Sequence, residues 1–162
     1  MRLFRLLTCF LVFAVHAESA ETPMQPSSVA SPCDGIPAQT ADLRVVKNGK
    51  TFDLQTQNKS TREWRRVLSS IEPIELARLS PDEQFLAYVI NVRVREQVAP
   101  WLYLQKLSTG GREVVSVLKA VPTELCFNAD GTVINLVPSS GSPVQQDLAE
   151  PMRFLKPTGA KG

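Results

Sequence analysis

Side chains that act as nucleophiles, proton acceptors or metal ligands are few in this chain. It contains one histidine, His16, and three cysteines, of which Cys9 lies close to His16 and the other two, Cys33 and Cys126, lie further along. Enzymes that activate a serine or cysteine nucleophile with a neighbouring imidazole need a histidine in the folded domain. Chemistry in a chain that loses its N-terminus is therefore limited to carboxylate, lysine and tyrosine groups.

The N-terminus has the features of an export signal over residues 1–17. Arg2 and Arg5 precede an apolar stretch, and Val15 and Ala17 place small residues at the −3 and −1 positions of a cleavage site. The apolar stretch is about ten residues long, whereas a spanning helix needs about 20. We therefore predict a periplasmic or secreted protein that is not inserted in a membrane after cleavage.

Cleavage after residue 17 would remove His16, Cys9 and the arginines Arg2 and Arg5. The whole chain has 18 basic and 16 acidic residues, so the mature chain is formally neutral. A neutral chain without a basic cluster is a poor ligand for nucleic acid. Two cysteines without a histidine do not make a zinc site. We predict that the mature chain binds no metal ion and no cofactor and that it has no enzymatic activity.

Cys33 and Cys126 are predicted to form a disulfide, because exported proteins enter an oxidising compartment. The bond would tie the N-terminal segment to a strand of the folded domain. The alternative is a pair of free thiols, one in a strand and one in the N-terminal segment. A redox-active motif is absent from the sequence, since no Cys-X-X-Cys spacing occurs.

A near-repeat organises the middle of the chain. Residues 80–88 (SPDEQFLAY) recur as residues 128–136 (NADGTVINL), about 48 positions later, which is the period of one β-propeller blade. In each copy a tight turn opens an apolar strand. Asp82, Glu83 and Asp130 are interpreted as turn residues that bond nearby backbone groups, and not as catalytic or metal-binding carboxylates.

The composition divides the mature chain into three parts. Residues 18–41 are rich in proline, serine and alanine and are predicted to be a flexible arm, and residues 139–162 are predicted to be a flexible tail. The compact β-domain is predicted over residues 42–138, of which only part is packed core.

Two local patterns begin that domain. Asn48-Gly49 between apolar runs predicts a β-hairpin. Residues 60–63 (STRE) have the form of a helix capping box, and Trp64 and Leu68 follow at helical spacing, which predicts a short helix. A strand is nearly as good an interpretation of this segment.

Four further segments, 74–79, 85–92, 101–107 and 112–118, predict one antiparallel, blade-like sheet. Residues 85–92 (FLAYVINV) are apolar at almost every position, which is typical of a central strand buried on both faces.

These segments carry a family resemblance over residues 75–137. The order of LSPD at residues 79–82, WLYL at 101–104 and the turn Gly110-Gly111 resembles the propeller repeat of TolB-type periplasmic proteins. That repeat has Gly where this chain has Glu83, while Gly131 keeps it in the second copy. The resemblance implies a propeller-like fold and an adaptor role in a cell-envelope complex.

The expected fold is all-β, with antiparallel blade-like sheets that form an incomplete propeller or a sandwich-like pair, and one short helix. The chain has fewer blades than the four or more of a closed ring, so sheet edges and faces stay open for self-packing, oligomerisation or a partner. We therefore predict that it binds another protein.

The interpretation that we rank first is an immunity or inhibitor protein that neutralises a secreted, envelope-degrading effector, because the overall profile is similar to that of periplasmic immunity proteins of type VI secretion. The alternative is a TolB-like scaffold or adaptor, and the third is a glycan-acting enzyme that uses carboxylates alone. The loop residues predicted to bind the partner are Arg93, Arg95, Ser108, Thr109, Gly110, Gly111 and Arg112. An ordinary hairpin turn is the competing interpretation of residues 108–112.

Overall fold

The computed structural model describes residues 31–34, 43–58 and 60–155, in which ten strands form three antiparallel sheets and one helix follows. The predicted signal peptide, most of the predicted N-terminal arm and residues 156–162 lie outside the described residues. The first sheet contains β1 (Leu43–Asn48), β2 (Thr51–Gln57) and β3 (Trp64–Ser70). The central sheet contains β4 (Ile74–Leu79), β5 (Phe85–Val94), β6 (Gln97–Lys106) and β7 (Arg112–Val117). The third sheet contains β8 (Glu124–Phe127), β9 (Val133–Val137) and β10 (Val144–Asp147), and helix α1 (Ala149–Leu155) ends the described chain.

The central sheet confirms the predicted four-stranded blade, since its strands pair in chain order. Strand β5 alternates between two hydrophobic clusters, so one face of the sheet packs on the first sheet and the other on the third. Leu86 and Tyr88 point towards the first sheet, and Ala87 and Val89 point towards the third. All four are fully buried. The sheets thus follow one another like the successive blades of an incomplete propeller, and the expected all-β fold is confirmed.

The first sheet contains the predicted Asn48-Gly49 hairpin, in which Gly49 has a φ of 61°. The short helix predicted over residues 60–68 is wrong, because Trp64–Ser70 is strand β3. Asn58 bonds the backbone N–H groups of Ser60 and Thr61 through its side-chain oxygen and holds a turn instead of a helix start. Pairing with β2 then places Leu68 opposite Leu54 in the core, and this tertiary contact outweighs the local helical spacing.

The packed part of the chain extends beyond the boundary predicted at residue 138. Within the predicted tail, β10 pairs with β9, and Leu148 and Leu155 are buried in the cluster between the central and third sheets. The one helix lies here, where Asp147 accepts a hydrogen bond from Ala149 N at its start. The proline-rich composition of residues 139–157 hid these elements, although Pro151 lies in the first turn of α1, where it is tolerated.

A second repeat relates the first sheet to the central sheet. Residues 54–63 begin with Leu-Gln and end with Arg-Glu, and residues 104–113 do the same at the same spacing. Leu54 and Leu104 are both buried strand residues just before a hairpin turn. Strands β2 and β3 therefore correspond to β6 and β7. Among the described residues, the first sheet has no counterpart of β4 and the third sheet has no counterpart of β7.

The disulfide between Cys33 and Cys126 is present, with a Cα–Cα distance of 5.7 Å. It joins a short turn at residues 31–34 to strand β8 of the third sheet. Ser31 Oγ donates a further hydrogen bond of 2.9 Å to Glu124, at the start of the same strand. The disulfide therefore connects the N-terminal segment to the last sheet of the stack.

Candidate functional site

Four turns lie at one end of the sheets, which we call the turn face: residues 58–62, 80–84, 107–111 and 128–132. Leu107 N bonds Gln84 O at 2.9 Å and joins two of these turns. Gly131 lies against Pro81, because a Cβ at this glycine would be 3.4 Å from Pro81 Cδ. An open cleft of about 330 Å³ between the first two sheets is lined by residues of turns 58–62 and 80–84.

The repeated turns at 80–84 and 128–132 are held by their own side chains. Ser80 Oγ accepts a hydrogen bond from Phe85 N at 2.9 Å and donates to Asp82. Asn128 Oδ1 accepts hydrogen bonds from Thr132 N and Val133 N. The reversal of the chain leaves some backbone N–H groups without a backbone acceptor, and these side-chain oxygens accept their hydrogen bonds instead. The role of these side chains in the structure is therefore to hold the turn.

Glu83 and Gly131 occupy the same position in the two turns, with φ values of 56° and 71°. A side chain with a Cβ is strained in this left-handed region, whereas glycine is not. We expect Glu83→Gly to raise the free energy of unfolding by about 1 kcal/mol and Gly131→Ala to lower it by about as much. Urea denaturation of both variants measures the two effects. A lower stability for Glu83→Gly would contradict the proposed equivalence of the turns.

The turn at 108–112 is a regular hairpin connection on the turn face. Gly110 has a φ of 71°, and its N–H bonds Lys106 O at 2.8 Å. Gly111 N donates to Thr109 Oγ1 at 3.2 Å. The guanidinium of Arg112 lies 5.8 Å from the centre of the Tyr103 ring, so this cation contacts the aromatic face of its own sheet. Ser108 and Thr109 are both exposed.

Arg93 and Arg95 lie at the opposite end of the central sheet. Strands β5 and β6 continue there beyond β4 and β7, and their last pairs run from Asn91↔Pro100 to Val94↔Gln97. We call this two-stranded extension, residues 91–100, the hairpin arm. The predicted partner-binding residues therefore do not form one surface, because Ser108, Thr109, Gly110, Gly111 and Arg112 belong to the turn face.

The hairpin arm exposes apolar side chains as well as charges. Val94 and Val98 are 51% and 54% exposed, and they lie on opposite faces of the arm because Val98 pairs with Arg93, next to Val94. Arg95, at the tip, has a φ of 58°, a left-handed conformation that costs free energy for a residue with a Cβ. Exposed valines on an isolated two-stranded extension mark this arm as a candidate contact surface.

An aromatic row lies on the face of the central sheet that packs on the first sheet. The rings of Tyr88 and Tyr103 stack at 5.3 Å, and those of Tyr103 and Trp101 at 6.2 Å. The hydroxyl of Tyr88 is buried without a hydrogen-bond partner among the described residues. Burial raises the pKa of Tyr88, and the nearby Arg112 cation partly offsets this effect. Tyr88 is part of the core, and Tyr103 and Trp101 are half-buried at its margin.

Asp53 is a buried carboxylate on the side of the first sheet away from the core. It accepts hydrogen bonds from Ser69 at 2.6 Å and from Asn48 at 3.3 Å, and Arg66 lies 3.8 Å away. The hydrogen bond from Ser69 is the main cause that lowers the pKa of Asp53 below its usual value of 3.8. All three neighbours favour the charged form.

The lowered pKa of Asp53 predicts a loss of stability in acid. A carboxyl whose pKa is depressed by folding contributes its full stabilisation above the unfolded-state pKa, and this contribution is lost as the pH falls through the folded-state pKa. We expect Asp53→Asn to lose less stability than the wild type as the pH falls below 3.8. Urea midpoints measured at several acidic pH values test this. Parallel pH profiles for the two proteins would contradict it.

Metal and cofactor chemistry gains no specific support from the structure. Within residues 31–34, 43–58 and 60–155, no group of three histidine, cysteine or acidic side chains is placed to hold a metal ion. The part of the chain that the structure describes also has no helix of the length and apolarity that a bilayer crossing requires.

Comparisons with known proteins found similarities over part of the chain. No family model matches the chain. The Tol-Pal system protein TolB of Aromatoleum aromaticum is 37% identical over 75 residues, which are 46% of this chain and 17% of that protein. The crystal structure of TolB from Acinetobacter baumannii superposes with a TM-score of 0.52 and 31% identity, covering 67% of this chain and 28% of that one.

An oligogalacturonate lyase in complex with manganese superposes with a TM-score of 0.51 at 17% identity, covering 70% of this chain and 33% of that one. A likeness at this identity supports a shared fold only. The chain spans less than a third of the length of the two TolB proteins. Over part of its length, then, it is similar to TolB in both sequence and structure, in agreement with the resemblance carried by residues 79–82, 101–104 and 110–111.

Proposed function

We propose that the chain is an exported, non-enzymatic protein-binding module that acts as an adaptor in the cell envelope. The observation that carries the proposal is the similarity to TolB, which is found independently by sequence and by structure. TolB is named as a protein of the Tol-Pal system, so the adaptor role predicted as the alternative fits these similarities better than the immunity role. The immunity role gains no support from them and stays a prediction.

Two features of the chain support action outside the cytoplasm. Residues 1–17 have the pattern of an export signal. The Cys33–Cys126 disulfide requires an oxidising compartment to form and persist, as in the periplasm or outside the cell.

The hairpin arm is the element that we propose to contact the partner. Over residues 92–99 its strands lack flanking strands on both sides, so backbone groups at these edges are open to pairing. Val94 and Val98 offer apolar contacts on the two faces of the arm. Arg93 and Arg95 add positive charge beside these valines. The fitting partner is a protein with an apolar groove whose rim is acidic, because arginine and apolar anchors together favour such a site.

Affinity capture with matched variants tests the adaptor role. The oxidised mature chain, immobilised and exposed to solubilised envelope of its own host, should retain an envelope protein. The double variant Arg93→Glu/Arg95→Glu should retain at least about tenfold less of it, because charge reversal opposes an acidic rim. Lys119→Glu, which reverses an exposed charge outside the arm, is the matched control and should retain the wild-type amount.

A second variant separates the two predicted surfaces. Ser108→Lys changes the exposed turn at 108–112 and should leave capture unchanged. If Ser108→Lys abolishes capture and the arm variant does not, the contact surface is the turn face and the proposed role of the arm is wrong. Recovery of one secreted hydrolase, inhibited on binding, would instead support the immunity role and overturn the adaptor role.

A further inference from the structure

Each outer sheet of the stack has one face that lies outside both hydrophobic clusters. In the first sheet this face carries Arg44 and Arg66, which flank Gln55 in the strand register, because the opposite face carries Leu54 and Leu68 in the core. The buried Asp53 lies on the same side and pairs with Arg66, so Arg44 is the cation of this row without a carboxylate beside it in the register. Trp64 lies beside them, with the Arg44 guanidinium 3.9 Å from its ring centre. We call this surface the basic face.

In the third sheet the corresponding side carries the row Cys126, Asn135 and Gln145, because Leu125 and Leu136 point into the core. Cys126 and Asn135 are buried on this side, and Gln145 is exposed. The disulfide places the turn at residues 31–34 beside this row, and Ser31 bonds Glu124. Glu124 and Asp34 are both exposed. We call this surface the acidic face.

The segments that contain the two outer sheets also differ in net charge. Segment 43–70 has seven basic residues against two acidic ones: Arg44, Lys47, Lys50, Lys59, Arg62, Arg65 and Arg66 against Asp53 and Glu63. Segment 124–155 has four acidic residues against one basic one: Glu124, Asp130, Asp147 and Glu150 against Arg153. The neutral total of the mature chain therefore hides two segments of opposite net charge.

We propose that two copies of the chain close into a ring of six sheets, in which the basic face of each copy packs on the acidic face of the other. Propellers close with about four to eight blades, so two copies of three sheets fall in that range and three copies do not. The two contacts are equivalent by a twofold axis, the commonest symmetry of oligomers. Closure would also cover the side chains that these two faces expose.

Because both faces are polar and charged, the association of the two copies should depend on the salt concentration. Attraction between exposed charges is strongly screened by salt, since the Debye length falls from about 10 Å at 0.1 M to about 3 Å at 1 M. We expect sedimentation equilibrium of the oxidised mature chain at low ionic strength to give twice the monomer mass at high protein concentration. Raising the salt to about 1 M should weaken the association by about tenfold or more.

Charge-swap variants identify the faces. Arg44→Glu alone and Glu124→Lys alone should each weaken self-association by about tenfold, because each places like charges across both contacts of the ring. An equimolar mixture of the two variants should restore it, since one contact then joins the two reversed charges and the other joins two wild-type faces. Lys119→Glu, which reverses an exposed charge outside both faces and outside the hairpin arm, is the matched control and should associate like the wild type.

Two outcomes would overturn the proposed dimer. In the first, the wild-type chain stays monomeric at low salt and high protein concentration. In the second, the mixture of the two variants associates no better than either single variant. Urea denaturation of each variant shows that it is folded, so loss of the dimer is not mistaken for unfolding. The adaptor role has its own test on the hairpin arm, and failure of self-association leaves that test unaffected.

Discussion

Replacing both Cys33 and Cys126 by alanine should lower the free energy of unfolding by about 4 kcal/mol, close to the limit for a loop of this length. The disulfide spans a sequence separation of 93 residues, and in the chain-entropy account a longer closed loop removes more freedom from the unfolded chain. Cys126 is itself buried in β8, between Leu125 and Phe127 of the core, so its replacement also loses a little packing. Urea denaturation at neutral pH measures the difference.

Reduction of the wild type separates the bond from the packing of Cys126. If the wild type treated with a reductant unfolds at the same urea concentration as the oxidised protein, the bond does not stabilise the fold and the prediction is wrong. The single variant Cys33→Ala should behave like the reduced wild type, because Cys33 lies at the margin of the fold.

Leu86→Ala should destabilise the protein by about 3 kcal/mol. Leu86 has no exposed surface and lies in β5, in the cluster between the first and central sheets, so its truncation leaves a cavity where the two sheets meet. The matched control is Ile71→Ala, because Ile71 is 75% exposed and its truncation should change the stability by less than about 0.5 kcal/mol. Equal urea midpoints for the two variants would contradict the placement of β5 at the centre of the stack.

The central sheet could be predicted because its signals are local. The apolar run of β5, the alternation of β6 and the Gly110-Gly111 turn each predict a strand or a reversal from neighbouring residues alone. The near-repeat of residues 80–88 and 128–136 predicts that β4 and β5 correspond to β8 and β9. In agreement with this, Glu83 and Gly131 have the same left-handed backbone conformation in the structure.

The errors lie where distant contacts decide the structure. Ser60 to Glu63 fit a capping box, but the pairing of Leu68 with Leu54 across the sheet makes the segment a strand. Leu148 and Leu155 lie in a stretch of low apolar content, and their burial depends on strands that are far away in the sequence. Local patterns carry no information about either contact.

The candidate site was predicted only in part. The sequence predicts Arg93 and Arg95 as loop residues, and the structure places them on the hairpin arm. The valines of the arm are exposed because β5 and β6 are longer than their neighbours β4 and β7. The sequence also assigns residues 108–112 to the same contact surface, but the direction of the strands places this turn at the other end of the sheet. A count of charges by segment would have revealed the two charged outer sheets, which the total charge conceals.

The central claim, that the chain binds an envelope protein through its hairpin arm, is tested most directly by site-specific photo-crosslinking in the host. A photo-crosslinking residue in place of Val94, at the arm, is compared with one in place of Val117, an equally exposed valine on β7. The account predicts that position 94 gives one adduct with an envelope protein and that position 117 gives none. The same adduct at both positions, or none at position 94, would contradict it.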